Sequence, residues 1–247
     1  MVQPPLLDAT GSVALISGAG GGIGRATVEL FQAAGARVVA FDRDAARLPA
    51  SSGSVLAIAG DATDEHAVHA AVDAAVLHFG KLDYAVSAVG YAQSSRLDAM
   101  TLADWKQIMD INLTSAFLLA RECYPRLKRP GGAMVLISST NGRNGGGHLS
   151  GAAYAVAKAG IINLCRYLAK EWAPEGLRVN SVMPGPVATP MLDRFSAGQQ
   201  AGLKATVPLN RFAEAGEIAA AIGYLCSSYA VTMTGACINV SGGLVLD

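Results

Sequence analysis

Charged residues are few in this chain, and the few there are cancel. Nineteen Lys and Arg stand against nineteen Asp and Glu in 247 residues, a formal net charge of zero. Binding to a phosphodiester backbone or an anionic bilayer draws on a surplus of cations, so neither nucleic acid nor membrane is expected as a partner. Aromatic residues are also sparse, at 6%. The four cysteines, Cys123, Cys165, Cys226 and Cys237, are far apart and show no metal-like spacing. They read as free thiols of a reducing cytoplasm. Residues 1–10 lack a basic start and contain Pro4 and Pro5, so no secretory leader is expected. One charge-free stretch, Ile218 to Leu246, is long enough to raise a membrane span. Ser227, Ser228, Thr232, Thr234, Gly235 and Asn239 interrupt it, and it reads instead as a helix end, a turn and a strand.

What the chain does have is small apolar residues: half of it is hydrophobic, and Gly alone accounts for 28 positions. They fall into an alternation of short apolar runs and helical patterns. The runs at 13–17, 37–41, 55–59, 82–88, 133–138, 178–182 and 236–240 read as strands. Between them lie helical patterns at 23–34, 64–79, 101–128, 151–173 and 217–227. Gly35 supplies a C-cap, Thr101-Leu-Ala-Asp104 resembles a capping box, and Pro125 falls in a fraying last turn. Such repetition predicts an α/β chain: a single Rossmann-type doubly wound domain over 1–247, with a seven-stranded parallel sheet flanked by helices on both faces. The segments 140–150 and 189–210 read as long loops at strand ends, the place where such a sheet binds ligands; 189–210 is taken as the substrate-binding loop.

Three local patterns carry chemistry. Gly18-Ala-Gly-Gly-Gly22-Ile23-Gly24 follows the first strand and opens the first helix. Glycines there let the backbone approach a pyrophosphate, whose charge the helix N-terminus favours. Asp42 ends the second strand, placed to accept from ribose hydroxyls and to repel a 2′-phosphate, which points to NAD rather than NADP; Arg43 and Arg25 are the nearby basic residues. Tyr154 and Lys158 are four residues apart, on one face of a helix. An ammonium beside the phenol is expected to lower its pKa and suit it to exchange a proton near neutrality.

Together these residues resemble the short-chain dehydrogenase/reductase family. The likeness runs from Val13 to Gly243: Gly18-x3-Gly22-Ile23-Gly24, Asp61, Asn112, Ser139 in Ile137-Ser138-Ser139, Tyr154-x3-Lys158, Pro184-Gly185, and Thr234-Gly235 to Gly242-Gly243. The resemblance implies that Tyr154 is the general acid or base, that Lys158 holds the nicotinamide ribose and tunes Tyr154, and that Ser139 holds the substrate oxygen, with Ser138 its rival. Asn112 would bend its helix and place a water beside Lys158. Asp61 and Ala62 would meet the adenine, Gly90 would lie against the cofactor, and Val187 and Thr189 would contact the carboxamide. Asn141, His148, Leu149 and Met191 are candidate substrate contacts. Three departures stand out: Ser87-Ala-Val-Gly90 replaces a more polar family stretch, the Ser139–Tyr154 interval is two residues longer than usual, and Ser241 stands where an aspartate is frequent.

The function expected is hydride transfer between NAD(H) and an apolar secondary alcohol or ketone. Two alternatives remain. One is an NADP-dependent 3-oxoacyl-carrier-protein reductase, against which Pro174-Glu175 stands where that group tends to carry an Arg. The other is a non-catalytic dinucleotide-binding sensor or scaffold. The helix face Ile161, Leu164, Cys165, Leu168 and Trp172 is read either as packing on its own sheet or as an interface of the homotetramer that the resemblance implies.

Overall fold

The structure, a computed structural model, describes residues 7–147 and 149–246. Its logic starts at β1 (Val13–Ser17), buried along its whole length. Successive side chains of a strand point to opposite faces. Val13 and Leu15 enter one core, Ala14 and Ile16 the other. A strand that is apolar on both faces must be covered on both.

In chain order β1 is followed by α1 (Gly22–Ala33), β2 (Arg37–Asp42), β3 (Val55–Ala59), α2 (Glu65–Phe79), β4 (Tyr84–Ser87), α3 (Leu102–Met109) and α4 (Ser115–Leu127). Then come β5 (Ala133–Ile137), α5 (Asn141–Asn144), α6 (Ala152–Trp172), β6 (Arg178–Pro184), β7 (Val187–Ala188), α7 (Ala197–Ala205), β8 (Ala213–Glu214), α8 (Ala215–Cys226) and β9 (Cys237–Val240). The main sheet has the order β3-β2-β1-β4-β5-β6-β9, with every pair parallel. One core joins it to α1 and α8; the other joins it to α2, α4 and α6. This is the seven-stranded doubly wound sheet expected. Strand order reverses between β1 and β4, which opens a crevice at their carboxyl ends.

The helix ends follow local chemistry. Asp64 caps α2 by accepting from the N–H of His66 at 2.9 Å, and Gly80 ends the helix in the left-handed region at φ 83°. Thr101 and Asp104 form the full capping box of α3. Leu209 and Gly242 join the strand-end loops at the far side through a backbone hydrogen bond of 3.1 Å.

Three expectations need correction. The long helix over 101–128 is interrupted at Asp110–Thr114 by a π turn. The segment 140–150 is not all loop, because α5 packs its turn on α6. The segment 189–210 contains α7, opened by a Ser196–Gln199 capping box. Of the two readings of the α6 face, packing holds: Ile161, Cys165, Leu168 and Trp172 are buried against the chain's own sheet, with Leu164 packed beside them. Among the described residues no helix is long and apolar enough to cross a membrane.

α5 can lie on α6 only because residue 142 is glycine. A Cβ there would stand 2.6 Å from both Ala159 N and Lys158 C. Backbone cannot yield as a side-chain tip would. Gly142→Ala is therefore expected to cost about 1–3 kcal/mol, lowering Tm by about 2–4 °C per kcal/mol in a chain of this size. A variant that melts with the wild type would show that this contact is not tight.

Candidate active site

The glycine loop shapes the floor of the crevice. Gly18 has φ 79°, and a Cβ on it would lie 2.7 Å from Ala88 C; a Cβ on Gly24 would lie 2.0 Å from Gly18 O. Both positions exclude any side chain. The N-cap of α1 is Gly21, which offers no capping side chain. The first-turn N–H groups of an α-helix have no intrahelical acceptor, so those of Gly22, Ile23 and Gly24 remain available to an anion. These residues line a cavity of about 780 Å³ that runs over the carboxyl ends of the central strands.

Asp42 braces this loop. Its Oδ2 accepts from Gly20 N–H at 2.9 Å and its Oδ1 from Asp44 N–H at 3.0 Å. Each carboxylate oxygen has a further lone pair for a hydroxyl. Arg43 and Arg47 line the adjoining cavity wall, while Arg25 is exposed on α1. Asp61 and Ala62 do not line the cavity. They lie past the end of β3, and Asp61 Oδ1 ties down Thr63 through its N–H and its hydroxyl, both at 2.8 Å.

The opposite half of the cavity is built on β5 and α6. The two serines at the end of β5 have separate fates. Ser138 Oγ donates to Lys158 O at 2.7 Å inside the protein. Ser139 faces the cavity beside Tyr154, and its Oγ accepts from Asn141 N–H at 3.2 Å. Lys158 is buried, and its ammonium donates to Ile137 O at 2.9 Å and Val89 O at 3.3 Å. It lies 5.7 Å from the centre of the Tyr154 ring, a cation–π distance. Burial pulls Lys158 down to about 8.

The expected effect on Tyr154 comes out with the opposite sign. Its pKa is raised, because burial of the phenol outweighs the hydrogen bond from Ser139 and the positive charge of Arg194. The ammonium of Lys158 donates to two backbone carbonyls and lies over the Tyr154 ring. The positive charge of Arg194 works against that rise.

Asn112 sits at the middle of the π turn and stands behind the cavity wall. Its Nδ2 donates to Ile108 O at 2.8 Å and Tyr91 O at 2.7 Å, and its Oδ1 accepts from Tyr91 N–H at 3.1 Å. It pins the backbone that follows β4. Gly90 lies between: a Cβ there would stand 3.7 Å from both Asn112 Oδ1 and Lys158 Nζ. Pro184, Gly185, Val187 and Thr189 complete the wall after β6. Thr189 stands over α1, where a Cβ on Gly22 would meet its Cγ2 at 2.4 Å. Asn141, Leu149 and Met191 also line the cavity, whereas His148 lies outside the described residues. Trp105 packs beside Tyr154 and Ile108, and Trp172 stacks on Tyr124 at 4.7 Å, both as packing residues.

Two arginines of the cavity wall carry no sequence signal of their role. Arg47 lies on the short turn after β2, where no motif marks it. Arg194 lies within the segment 189–210, but a lone arginine in a polar loop carries no sequence signal of its direction.

A family model described as Enoyl-(Acyl carrier protein) reductase matches residues 18–245. An uncharacterized short-chain type dehydrogenase/reductase of Sinorhizobium fredii is 33% identical over 96% of this chain and 98% of its own length. The cis-4-hydroxycyclohexanecarboxylate dehydrogenase of Sinomonas cyclohexanicum is 36% identical over 94% of this chain and 95% of its own. The crystal structure of a 3-ketoacyl-(acyl-carrier-protein) reductase of Brucella melitensis complexed with NADH superposes with a TM-score of 0.89 at 30% identity, covering 96% of this chain and all of that one. With its parallel sheet, glycine loop and Ser139–Tyr154–Lys158 cluster, the chain belongs to the short-chain dehydrogenase/reductase family.

Proposed function

We propose that the chain transfers a hydride between NAD(H) and a secondary alcohol or ketone, with Tyr154 as general acid and base. One observation carries the reading. Ser139 and Tyr154 line one cavity wall, with the buried Lys158 ammonium behind them and an anion-ready glycine floor beside them. A pair of hydroxyls so placed can hold one substrate oxygen and pass its proton.

The glycine cradle fits a nicotinamide dinucleotide. The N–H groups of Gly22, Ile23 and Gly24 would receive the pyrophosphate, and Asp42 the ribose hydroxyls. Gly90, Pro184, Gly185, Val187 and Thr189 would border the nicotinamide; Asp61 and Ala62, beyond the end of β3, would meet the adenine edge. When bound, the cofactor supplies the hydride acceptor in oxidation or the donor in reduction. The protein handles the proton: in oxidation the alcohol's O–H proton passes to Tyr154, and in reduction Tyr154 returns it to the carbonyl oxygen. Ser139 donates to that oxygen and orients it. Asn112 fixes the Tyr91 backbone and the Lys158 surroundings, through which the proton would reach solvent. The segment 189–210 supplies the substrate side, where Met191, Leu192, Phe195 and Leu203 give an apolar wall.

The test is turnover of a panel of secondary alcohols and ketones followed by NADH absorbance, with NADPH in parallel. The wild type is expected to prefer NADH, and Asp42→Ala to raise kcat/KM with NADPH relative to NADH by about tenfold or more, since an opposing charge is removed from the 2′-phosphate. A wild type that prefers NADPH would overturn the cofactor assignment.

A second reading, reduction of 3-oxoacyl thioesters on a carrier protein, draws on the overlay with the 3-ketoacyl reductase. Against it, the turn Ala173–Glu175 after α6 presents Glu175, which accepts from the Tyr124 hydroxyl, where an acidic carrier would favour a cation. Acyl-thioester substrates in the same panel separate the two. The homotetramer rests on different residues from those first considered: Phe117, Val156 and Tyr167 on α4 and α6 are exposed and apolar.

A further inference from the structure

Arg194 neither gives nor takes the transferred proton, yet it lines the same cavity as Ser139 and Tyr154. It follows the short turn Pro190–Leu192 and reaches across the cavity mouth. One guanidinium nitrogen donates to Ala92 O, after β4; the other terminal nitrogen donates to Leu149 O, before α6, at 3.1 Å. The guanidinium lies 4.5 Å from the centre of the Phe195 ring. Three surfaces thus fix its orientation.

It has orientation but no counter-charge. Among the described residues no carboxylate pairs with Arg194, and no Asp or Glu lines the cavity. A guanidinium carries five N–H donors, and the two carbonyls use two of them. The side chain remains open to solvent, so its remaining donors are accessible. Its charge also acts on the Tyr154 phenol and on Tyr91, which places it within electrostatic reach of the proton-transfer point. The other cations of the wall are committed or remote. Lys158 serves Ile137 O and Val89 O, and Arg43 and Arg47 stand near Asp42 at the glycine-loop end.

We infer that Arg194 is a substrate subsite for a carboxylate, so that the enzyme's substrates are hydroxy- and oxo-carboxylic acids. They would be held with the oxygen to be oxidised or reduced at Ser139 and Tyr154 and the carboxylate on the guanidinium. An oriented planar fork matches a carboxylate in a way that a lysine does not. The inference rests on the oxidoreductase reading above and narrows its substrate class; it revises the expectation of a wholly apolar substrate.

The experiment compares 3-hydroxybutyrate, 4-hydroxypentanoate and 5-hydroxyhexanoate, each beside its methyl ester, as substrates with NAD. The ester keeps the reacting alcohol and removes the charge. In the wild type at least one acid is expected to exceed its ester in kcat/KM by about 10- to 100-fold, the worth of a hydrogen-bonded charge pair. Arg194→Gln should collapse that ratio toward one, mainly through KM, and Arg194→Lys should restore only part of it. Hexanoate binding measured by calorimetry on the NADH-loaded protein should weaken in Arg194→Gln by a similar factor. If Arg194 only straps the loop, acid and ester fall together and the ratio is unchanged, which overturns the subsite. Equal use of every acid and its ester by the wild type overturns it too. If no alcohol of either panel is oxidised, the oxidoreductase reading itself has failed, and hexanoate binding alone then decides the subsite.

Discussion

Tyr154→Phe is expected to lower kcat by about 10²- to 10⁴-fold, the range that one positioned proton donor or acceptor contributes. The substitution is a clean one here. Phenylalanine keeps the ring, its burial beside Ile108, and its place 5.7 Å from the Lys158 ammonium. It removes only the hydroxyl, on the cavity wall that Ser139 shares. NADH should therefore still bind, and the fold should melt close to the wild type. Steady-state turnover with the best alcohol of the panel, beside a fluorescence titration of NADH, checks both halves. Full turnover in the variant would mean that no proton passes through this oxygen, and the site would have to be read again from the beginning.

The second large effect concerns stability rather than rate, and it comes from Lys158. Its folded pKa is pulled to about 8 from an ordinary value of 10.5, because burial disfavours the charged form. Between those two pH values the unfolded chain binds the proton that the folded chain has released. Stability therefore rises with pH across that window. The gain is about 3 kcal/mol for a shift of this size, or about 6–12 °C in Tm for a chain of this length. Lys158→Met lacks this proton. Melting both proteins from pH 7 to pH 10.5 should show the wild type gaining on the variant as pH rises through the window, with little relative change below about pH 7.5. Groups common to both, such as the buried cysteines and tyrosines, cancel in the difference. A constant gap across the whole range would show that the buried ammonium is not strained by its surroundings. Below pH 8 the protein carries this cost to keep a cation under the cofactor site.

The strands were legible because β1 and β5 are near-continuous apolar runs between turn signals, and periodicity is the strongest message a sequence sends. The glycine loop was legible from its place between a strand and a helix. Tyr154 and Lys158 owe their legibility to the helical repeat, and Ser139 to the resemblance; the structure separates Ser139 from Ser138 by giving Ser138 to the Lys158 carbonyl. Other features depend on what lies across the fold. The sign of the Tyr154 shift is set by burial, which neighbours in sequence do not reveal. No glycine or proline marks the π turn, so 101–128 reads as one helix. The capping box at Ser196 and Gln199 was present in the sequence, yet the Gly- and Gln-rich stretch after it lacks the apolar stripe that marks a helix. Arg194 acquires meaning only when Ala92 and Leu149, distant in sequence, are brought to either side of it.

The π turn at Asp110–Thr114 has a consequence for how the helices on either side of it can vary. It inserts one residue into a continuous helix, and one residue is about 100° of rotation. α3 and α4 are thereby set out of phase. Ile108, at the end of α3, joins the small cluster with Ala153 and Tyr154, whereas Ala116, Leu119 and Cys123 of α4 belong to the core under the sheet. One stretch of helix thus answers to two masters, and Asn112 is the joint between them. Residues of α3 can be exchanged to reshape the neighbourhood of Tyr154 without turning α4 on the sheet. Deleting a single residue from the joint would couple the two again and swing α3 away from the site.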